Sequence, residues 1–514
     1  MSYSGGMKSS LITTLVLLLV LGIAIPTTFA LTGTQQATDR KTATLPELMQ
    51  KYSSANSGKK VRILIMPGHE PGFGGAEYQN TYEREITVEI ADELANYLKN
   101  NPRFEVIVAR SNTSWTQDLA NYFQTNGSSI QSFVTDHKNA FAKLLGEGQI
   151  TQRAESDQVV HAAALDDVAM RLYGINKWAN ENNIDLVLHI HLNDSPDHGP
   201  DTPSQASGFA VYIPDAQYGN AATSRPFGEA VAARLSTLVA TSTLPIENKG
   251  VVEDQQLIAL GAYNTLSVPS ALVEYSYITE PQLVHPEIRQ LVAKDYAYET
   301  YLGIQDFFKD SVFSKYPSAS LPFTFATDSL GTGSSSPAAY TLQAALHTLN
   351  FYPAFASTTP ANVRLMAPTL TTCPINGMLG ACTTNAIEAF QIAKGIPVTG
   401  TLSTTTVNAL NTLFSNVPVP IQTLTTGACP LSTKAITLGA KDKGTNDAVA
   451  RLQTVLSSDA VFYPGRQVTG TFGPATLTAV KSFQIAHGLA KKGGPGYGIV
   501  GPKTRAALET VYCS

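Results

Sequence analysis

Val61-Arg62-Ile63-Leu64-Ile65-Met66-Pro67-Gly68-His69 is the stretch on which the fold turns. Its apolar run lacks the alternation of a half-exposed strand and stops at Pro-Gly, so it reads as a strand buried on both faces that opens into a loop. Downstream, Ile86, Ile90, Leu94 and Leu98 recur at helical spacing, and Glu105-Val106-Ile107-Val108 is a second strand. Strand, helix, strand is the pattern of an α/β sheet. It continues with a helix over 168–180, a buried strand over Ile184 to His191, a strand at Phe209 to Ile213, a helix over 227–239 and a last clear strand at Ala271 to Tyr275. The expectation is an α/β domain over 61–310, an open sheet flanked by helices. A polar stretch at 113–165 reads as a partly helical insertion, with lining the site and lying remote from it both open.

This domain does not account for the chain. The 514 residues suggest about three units at roughly 150 residues per domain. Before residue 61, Lys8 precedes an apolar run from Leu11 to Ile25 that Pro26 ends ahead of Thr28-Phe29-Ala30. The run is short for a membrane-spanning helix and reads as a secretory signal at 1–30, cleaved after Ala30. The expected location is secreted or cell-envelope, with a membrane contact only through an uncleaved signal. Residues 31–60 read as a polar leader.

Past residue 310 the composition turns to Ser, Thr, Pro and Ala, a linker at 311–340, and an internal repeat follows. Leu342-Gln343 recurs as Leu452-Gln453, and Phe351-Tyr352-Pro353 as Phe462-Tyr463-Pro464. Gly377 to Gly380 recurs as Gly470 to Gly473, and Phe390-Gln391-Ile392-Ala393 as Phe483-Gln484-Ile485-Ala486. The interval from Gly380 to Gln391 equals that from Gly473 to Gln484. Two small, mainly helical modules at 341–415 and 446–514 are expected, joined by a linker at 416–445 that holds Val417-Pro418-Val419-Pro420. Phe390 and Phe483, with Ala386, Ile387, Ala479 and Val480 at helical spacing, read as core residues.

Composition excludes some functions. With 35 Lys+Arg against 40 Asp+Glu the net charge is −5, which argues against nucleic acid as a partner. A mean hydropathy of −0.02 excludes a polytopic membrane protein. Four cysteines are too few for a disulfide scaffold.

The chemistry-bearing residues fall in the α/β part. His69 follows the first strand, and His189 and His191, two apart in one strand, share a face. The carboxyl edge of such a sheet is where ligands bind. A zinc site of catalytic type takes three ligands from His, Glu and Asp and keeps a fourth position open. His69, one of Glu83 or Glu85, and one of His189 or His191 supply such a set. Glu274, ending the apolar run Ala271-Leu272-Val273 at the same edge, is a candidate general base.

Over 61–308 these residues make the chain resemble the zinc-dependent N-acetylmuramoyl-L-alanine amidases of bacterial cell-wall turnover. The resemblance rests on Val61 to His69, Glu83-Arg84-Glu85 before Ile86, Asp185 to Asn193, Lys249-Gly250-Val251 and Pro269 to Glu274. It implies Zn2+ held by His69, Glu83 and His191, with Glu274 as catalytic base, in preference to Glu85 and His189. Its departures are Met66 and Glu70 around Pro-Gly-His, His189, and Tyr275-Ser276-Tyr277 after the glutamate. The repeats resemble the three-helix peptidoglycan-binding module, which implies peptidoglycan as partner. The function so implied is hydrolysis of the bond between N-acetylmuramic acid and L-alanine by an enzyme held on the wall. A non-catalytic or peptidase-like wall-binding protein is the alternative, and the insertion could recruit a protein activator. All four cysteines lie in the binding half; pairing Cys373 with Cys382 and Cys429 with Cys513 would staple each module.

Overall fold

The structure is a computed structural model that describes residues 42–55, 58–159, 161, 164–199, 201–310, 325, 333, 335–354, 368–414, 431, 434–442, 447–457 and 470–512. The signal at 1–30, the Val417 to Pro420 segment, Phe462-Tyr463-Pro464, Cys429 and Cys513 lie outside those residues.

β1 (Val61–Pro67) lies inside a six-stranded sheet with β4 (Phe104–Val108), β5 (Leu186–Asn193), β6 (Ala210–Pro214), β7 (Val251–Asp254) and β8 (Ser270–Tyr277). The order is β4-β1-β5-β8-β6-β7. β1 pairs in parallel with β4 and β5, and β5 with β8, while β6 runs antiparallel to β8. A small hairpin, β2 (Glu77–Tyr78) with β3 (Thr81–Tyr82), stands apart between β1 and the first long helix.

The apolar run Ile63 to Met66 within β1 has a direct cause. Ile63 and Ile65 pack into the main core with helices α2 (Glu83–Lys99), α6 (Ala221–Leu235) and, after the short α7 (Pro281–Val284), α8 (Pro286–Phe307). Leu64 and Met66 point the other way, into a second core with Trp178 of α5 (Asp166–Glu181) and Leu119 of α3 (Gln117–Thr125). Helices on both faces leave no solvent side for polar residues to mark. Between β1 and β5 the order of the chain reverses, since β1 leads to β4 on one side while β5 lies on the other. That geometry opens a crevice at their carboxyl ends.

The structure revises two expected boundaries. The polar leader at 31–60 contains helix α1 (Leu45–Ser54), whose Leu48 and Tyr52 are buried in the main core. Thr44 and Glu47 cap it reciprocally, and the Tyr52 hydroxyl donates to Asp310 at 2.7 Å. Its few apolar residues were too sparse for periodicity to reveal. The insertion forms α3 and α4 (Gly127–Gly146), and its entrance is tied to the loop after β1, where the Trp115 indole N–H donates to Glu70 at 3.1 Å.

The first repeat copy contains α9 (Pro337–Thr348), α10 (Ala381–Lys394) and α11 (Thr404–Phe414), so it begins inside the expected 311–340 linker. It is seated on the α/β body. The Tyr340 hydroxyl donates to buried Asp295 of α8 at 2.9 Å, the His347 Nε2–H to the Thr237 carbonyl at 2.5 Å, and the two share one hydrophobic core. Cys373 and Cys382 are disulfide-bonded. The second copy contains α12 (Ala448–Ser457), α13 (Pro474–Ala486) and α14 (Pro502–Tyr512) around a core of its own.

The glutamines of the repeat have a structural task. Buried Gln391 accepts from the backbone N–H of Thr399 and Gly400, and its amide donates to the Thr401 carbonyl and the Thr406 hydroxyl. Gln484 accepts from Gly498 and donates to Gly496, Ile499 and Thr504. Gln343 and Gln453 clasp the preceding turn in the same way. Each amide fastens a glycine turn to a threonine near the start of the next helix, and Phe390 and Phe483 are fully buried beside them. Replacing Gln484 by Leu strands the Gly498 N–H and takes one of two donors from each of the Gly496 and Ile499 carbonyls, at about 1–3 kcal/mol for a buried group left without a partner. Scanning calorimetry of Gln484→Leu is expected to show the second module melting several degrees lower with the transition of the α/β body unmoved. A shift of both together would contradict the separation of the two cores.

Candidate metal centre

Three ligand-type side chains converge at the carboxyl ends of β1 and β5. Atoms of His69, Glu83 and His191 capable of holding a metal lie within 4.8 Å of one another. Each arrives from a different element. His69 stands in the loop after β1 with φ 69°, a left-handed conformation that costs a non-glycine residue about 1–3 kcal/mol and recurs at functional sites. Glu83 begins α2 and is buried, whereas Glu85 is exposed. His191 lies near the end of β5, opposite Glu274 of β8 in the register.

Hydrogen bonds fix how the carboxylate of Glu83 points. Its Oε1 accepts from the backbone N–H of Leu192 at 3.0 Å and lies 3.1 Å from His191 Nδ1, and its Oε2 accepts from the Ala76 N–H at 2.9 Å. His69 Nε2 lies 2.7 Å from Oε2, yet the angle makes no hydrogen bond and the nitrogen has no partner among the described residues. That is the relation of two donors aimed at a common ion. The cradle is close-packed: a Cβ on Gly68 would meet the His191 ring at 2.5 Å, and one on Gly75, at φ +86°, would meet the His69 ring at 2.8 Å. One carboxylate and two imidazoles suit a borderline divalent cation.

Burial works against protonating His69, but the negative charge of Glu83 beside it outweighs burial and raises its imidazole above the ordinary value. Burial likewise opposes ionisation of Glu83, and the two histidines overcome it, holding the carboxyl well below its usual range. His189 does not join the group. Its ring is buried, and burial together with the charge of His191 pushes its imidazole down to about 3.

Glu274 faces this group from the neighbouring strand. Its Oε2 is buried with no partner among the described residues. Burial first, then the charges of Glu83 and Glu247, raise its carboxyl well above the usual range.

Sequence reasoning passed over two residues that build the site. Buried Arg110, just beyond β4, donates to the carbonyls of Pro67 at 3.1 Å, of Arg84 at 3.0 Å and of Gly68. One guanidinium therefore ties the His69 loop to the start of the helix that carries Glu83. Buried Glu247 accepts from Asn193 and from the hydroxyls of Tyr212 and Tyr277, joining β5, β6 and β8 beyond His191 and Glu274. For Arg110 a charged residue next to an apolar strand end was the available signal, the same that singled out Glu274; Glu247 lies in the turn before β7 and carried no such signal. Glu70, a departure from the resembled family, is absorbed by Arg171 at 2.7 Å and by Trp115.

Comparison with known proteins bears on both parts. Residues 63–158 and 148–305 match a family described as N-acetylmuramoyl-L-alanine amidase, and residues 335–410 and 445–508 one described as putative peptidoglycan binding domain. The chain joins an amidase domain to two peptidoglycan-binding domains. The N-acetylmuramoyl-L-alanine amidase CwlL of Bacillus licheniformis is 31% identical over 135 residues, 25% of this chain and 35% of that protein. An uncharacterized protein of Kitasatospora aureofaciens is 44% identical over 78 residues, 15% of this chain and 59% of its own. This chain thus spans about a third and under two thirds of the lengths of these curated relatives. The crystal structure of the amidase Ami1 from Mycobacterium smegmatis aligns with 49% of the chain and 98% of its own at 16% identity and a TM-score of 0.31. The four residues facing one another at the sheet edge lie within the span of the amidase domain.

Proposed function

We propose that the protein is a zinc-dependent hydrolase of peptidoglycan that cuts the amide between N-acetylmuramic acid and L-alanine. The observation that carries this reading is the convergence of His69, Glu83 and His191 with an unpartnered Glu274 carboxyl beside them, inside the amidase domain. Zn2+ held by the three ligands would supply Lewis acidity at the lactyl carbonyl and lower the pKa of water. The rest of the chemistry falls to the chain. Glu274 takes the proton of the attacking water as its oxygen bonds to the carbonyl carbon, then passes it to the L-alanine nitrogen as the C–N bond breaks. Arg110 holds two of the ligand-bearing elements together, and Glu247 ties the strand ends that carry His191 and Glu274. The two binding domains keep the enzyme on an insoluble substrate and raise its local concentration. The disulfide in the first of them fits a protein that works outside the cytoplasm.

Digestion of purified peptidoglycan by the zinc-loaded protein tests the reading. New L-alanine amino termini on stem peptides are expected. Release of free D-amino acids would point to a peptidase, and new reducing sugar ends to a glycosidase; either result overturns the proposal.

A further inference from the structure

The two repeat copies differ in the turn that follows the second buried glutamine of each. In the first copy Gly400 lies 9 residues past Gln391, whereas in the second Gly498 lies 14 past Gln484. The longer turn contains Lys491-Lys492-Gly493-Gly494-Pro495-Gly496-Tyr497. Charge enters with it. Lys491 and Lys492 are exposed, and so is Lys503 in the first turn of α14. Lys481 stands three residues before Gln484, where the first copy has Glu388 three before Gln391. From Gly395 to Phe414 the first copy has no lysine or arginine.

The fold gathers these lysines around one turn. The Gln484 amide donates to the Gly496 and Ile499 carbonyls and to the Thr504 hydroxyl, which draws the turn and the start of α14, with Lys503, to the same point on α13. Lys481 lies against the turn itself. Its Nζ is 5.2 Å from the centroid of the Tyr497 ring, and a Cβ on Gly498 would meet its Cε at 3.0 Å. Lys491 opens the turn, and its carbonyl accepts from the Gly494 N–H at 2.9 Å.

None of Lys481, Lys491, Lys492 and Lys503 has a carboxylate partner among the described residues. Cations of the α/β body do, as Lys51 with Asp185, Arg84 with Glu77 and Arg171 with Glu70. From Gly470 to Tyr512 the sequence has a single carboxylate, Glu509, which accepts from the Leu431 backbone N–H. Like charges held this close repel one another, and an anion that meets several of them at once relieves the repulsion.

Lysine chemistry selects the anion. An ammonium is a compact point charge that suits phosphate, whereas a planar carboxylate is matched by the arginine fork. No arginine stands in this turn, and Arg505, just beyond it, is buried. Nucleic acid would ask for open aromatic faces on which bases stack, and Tyr497, the one aromatic of the turn, has Lys481 over its ring.

We infer that the turn from Lys491 to Gly498, with Lys481 and Lys503, is a docking site for a flexible phosphodiester polymer of the cell envelope. The first copy lacks these lysines and is seated on the α/β body instead, so the two copies divide fixed seating from electrostatic attachment. This partner is separate from the substrate proposed above, and either proposal can fail alone.

The test uses the full chain with poly(glycerol phosphate) as probe. Phosphatidylglycerol vesicles, mixed-sequence single-stranded DNA and purified peptidoglycan free of phosphate polymers serve as comparisons. Titration calorimetry is expected to show the polymer binding, with log K falling against log salt at a slope of roughly −3, as for about four lysine contacts. Joint replacement Lys491→Gln and Lys492→Gln, on exposed side chains, is expected to weaken binding at least about tenfold at low salt and to flatten the slope by roughly 1.4, with thermal melting unchanged. Acetylation footprinting is expected to show the polymer shielding Lys481, Lys491, Lys492 and Lys503. No binding, wild-type affinity in the double variant, or tighter binding of vesicles or DNA than of the polymer overturns the inference. So does equal shielding of the four lysines by the bare peptidoglycan, which would return the turn to the substrate already proposed.

Discussion

Glu274→Gln is expected to lower kcat on peptidoglycan by about 10²–10⁴-fold, the usual worth of a general acid–base group, while leaving zinc at the wild-type stoichiometry. The glutamine is isosteric but can neither accept the proton of the attacking water nor return one to the departing nitrogen. The raised pKa of Glu274 has its source in burial and in the fields of Glu83 and Glu247, so the group is a stronger base than an exposed carboxylate. A cation at the neighbouring ligands offsets part of that field. Because the effect lies on proton transfer, KM is expected to move little. Metal analysis beside steady-state kinetics separates the outcomes: zinc lost along with activity would make Glu274 a ligand or a support of the ligands. Wild-type rates in the variant would remove it from the chemistry.

Glu83→Gln is expected to weaken zinc binding by at least about 100-fold and to abolish hydrolysis at stoichiometric zinc. Loss of partners outside the ligand shell already costs 10–100-fold, and here a ligand itself is replaced. Competition titrations with a chelator measure the change. The same titrations in wild type follow pH, since the cation must displace the proton that Glu83 helps His69 to retain. Affinity is expected to fall as pH drops through the imidazole range. Without metal, Glu83 has a folded-state pKa below its unfolded value. The sign follows: its contribution to stability is complete above the ordinary carboxylate range and is lost as pH falls through the lower, folded-state value. Acid titration of the metal-free wild type against Glu83→Gln is expected to show that loss in the wild type only.

Much of the architecture was legible because both of its signals are local. Apolar runs such as Ile63 to Met66 and Leu186 to Leu188 mark strands covered on two faces, and the run of Ile86, Ile90, Leu94 and Leu98 marks a helix with one buried stripe. The repeat was legible for a similar reason. The pairs Leu-Gln and Phe-Gln put a buried amide beside a core residue in each copy, and that pairing is what fastens glycine turns to threonines. Helix α1 was not legible, because only two of its side chains, Leu48 and Tyr52, are buried, too few for a period. Its place is held by Lys51 on Asp185 and Tyr52 on Asp310, partners 134 and 258 residues away in sequence.

The candidate site divides along the same line. The sequence by itself determined which residue types were on offer, His69, Glu83 or Glu85, His189 or His191, and Glu274, because a strand end or a helix start reads from neighbours a few residues away. Only the tertiary structure shows which of them meet, since backbone donors from Ala76 and Leu192 turn Glu83 inward to His69 and His191 while Glu85 meets solvent and His189 stays outside that group. It alone brought Arg110 and Glu247 to the site and seated the first binding domain on the α/β body. Those contacts join residues far apart in the chain, and local periodicity carries no record of which distant carbonyl or hydroxyl a buried charge will meet.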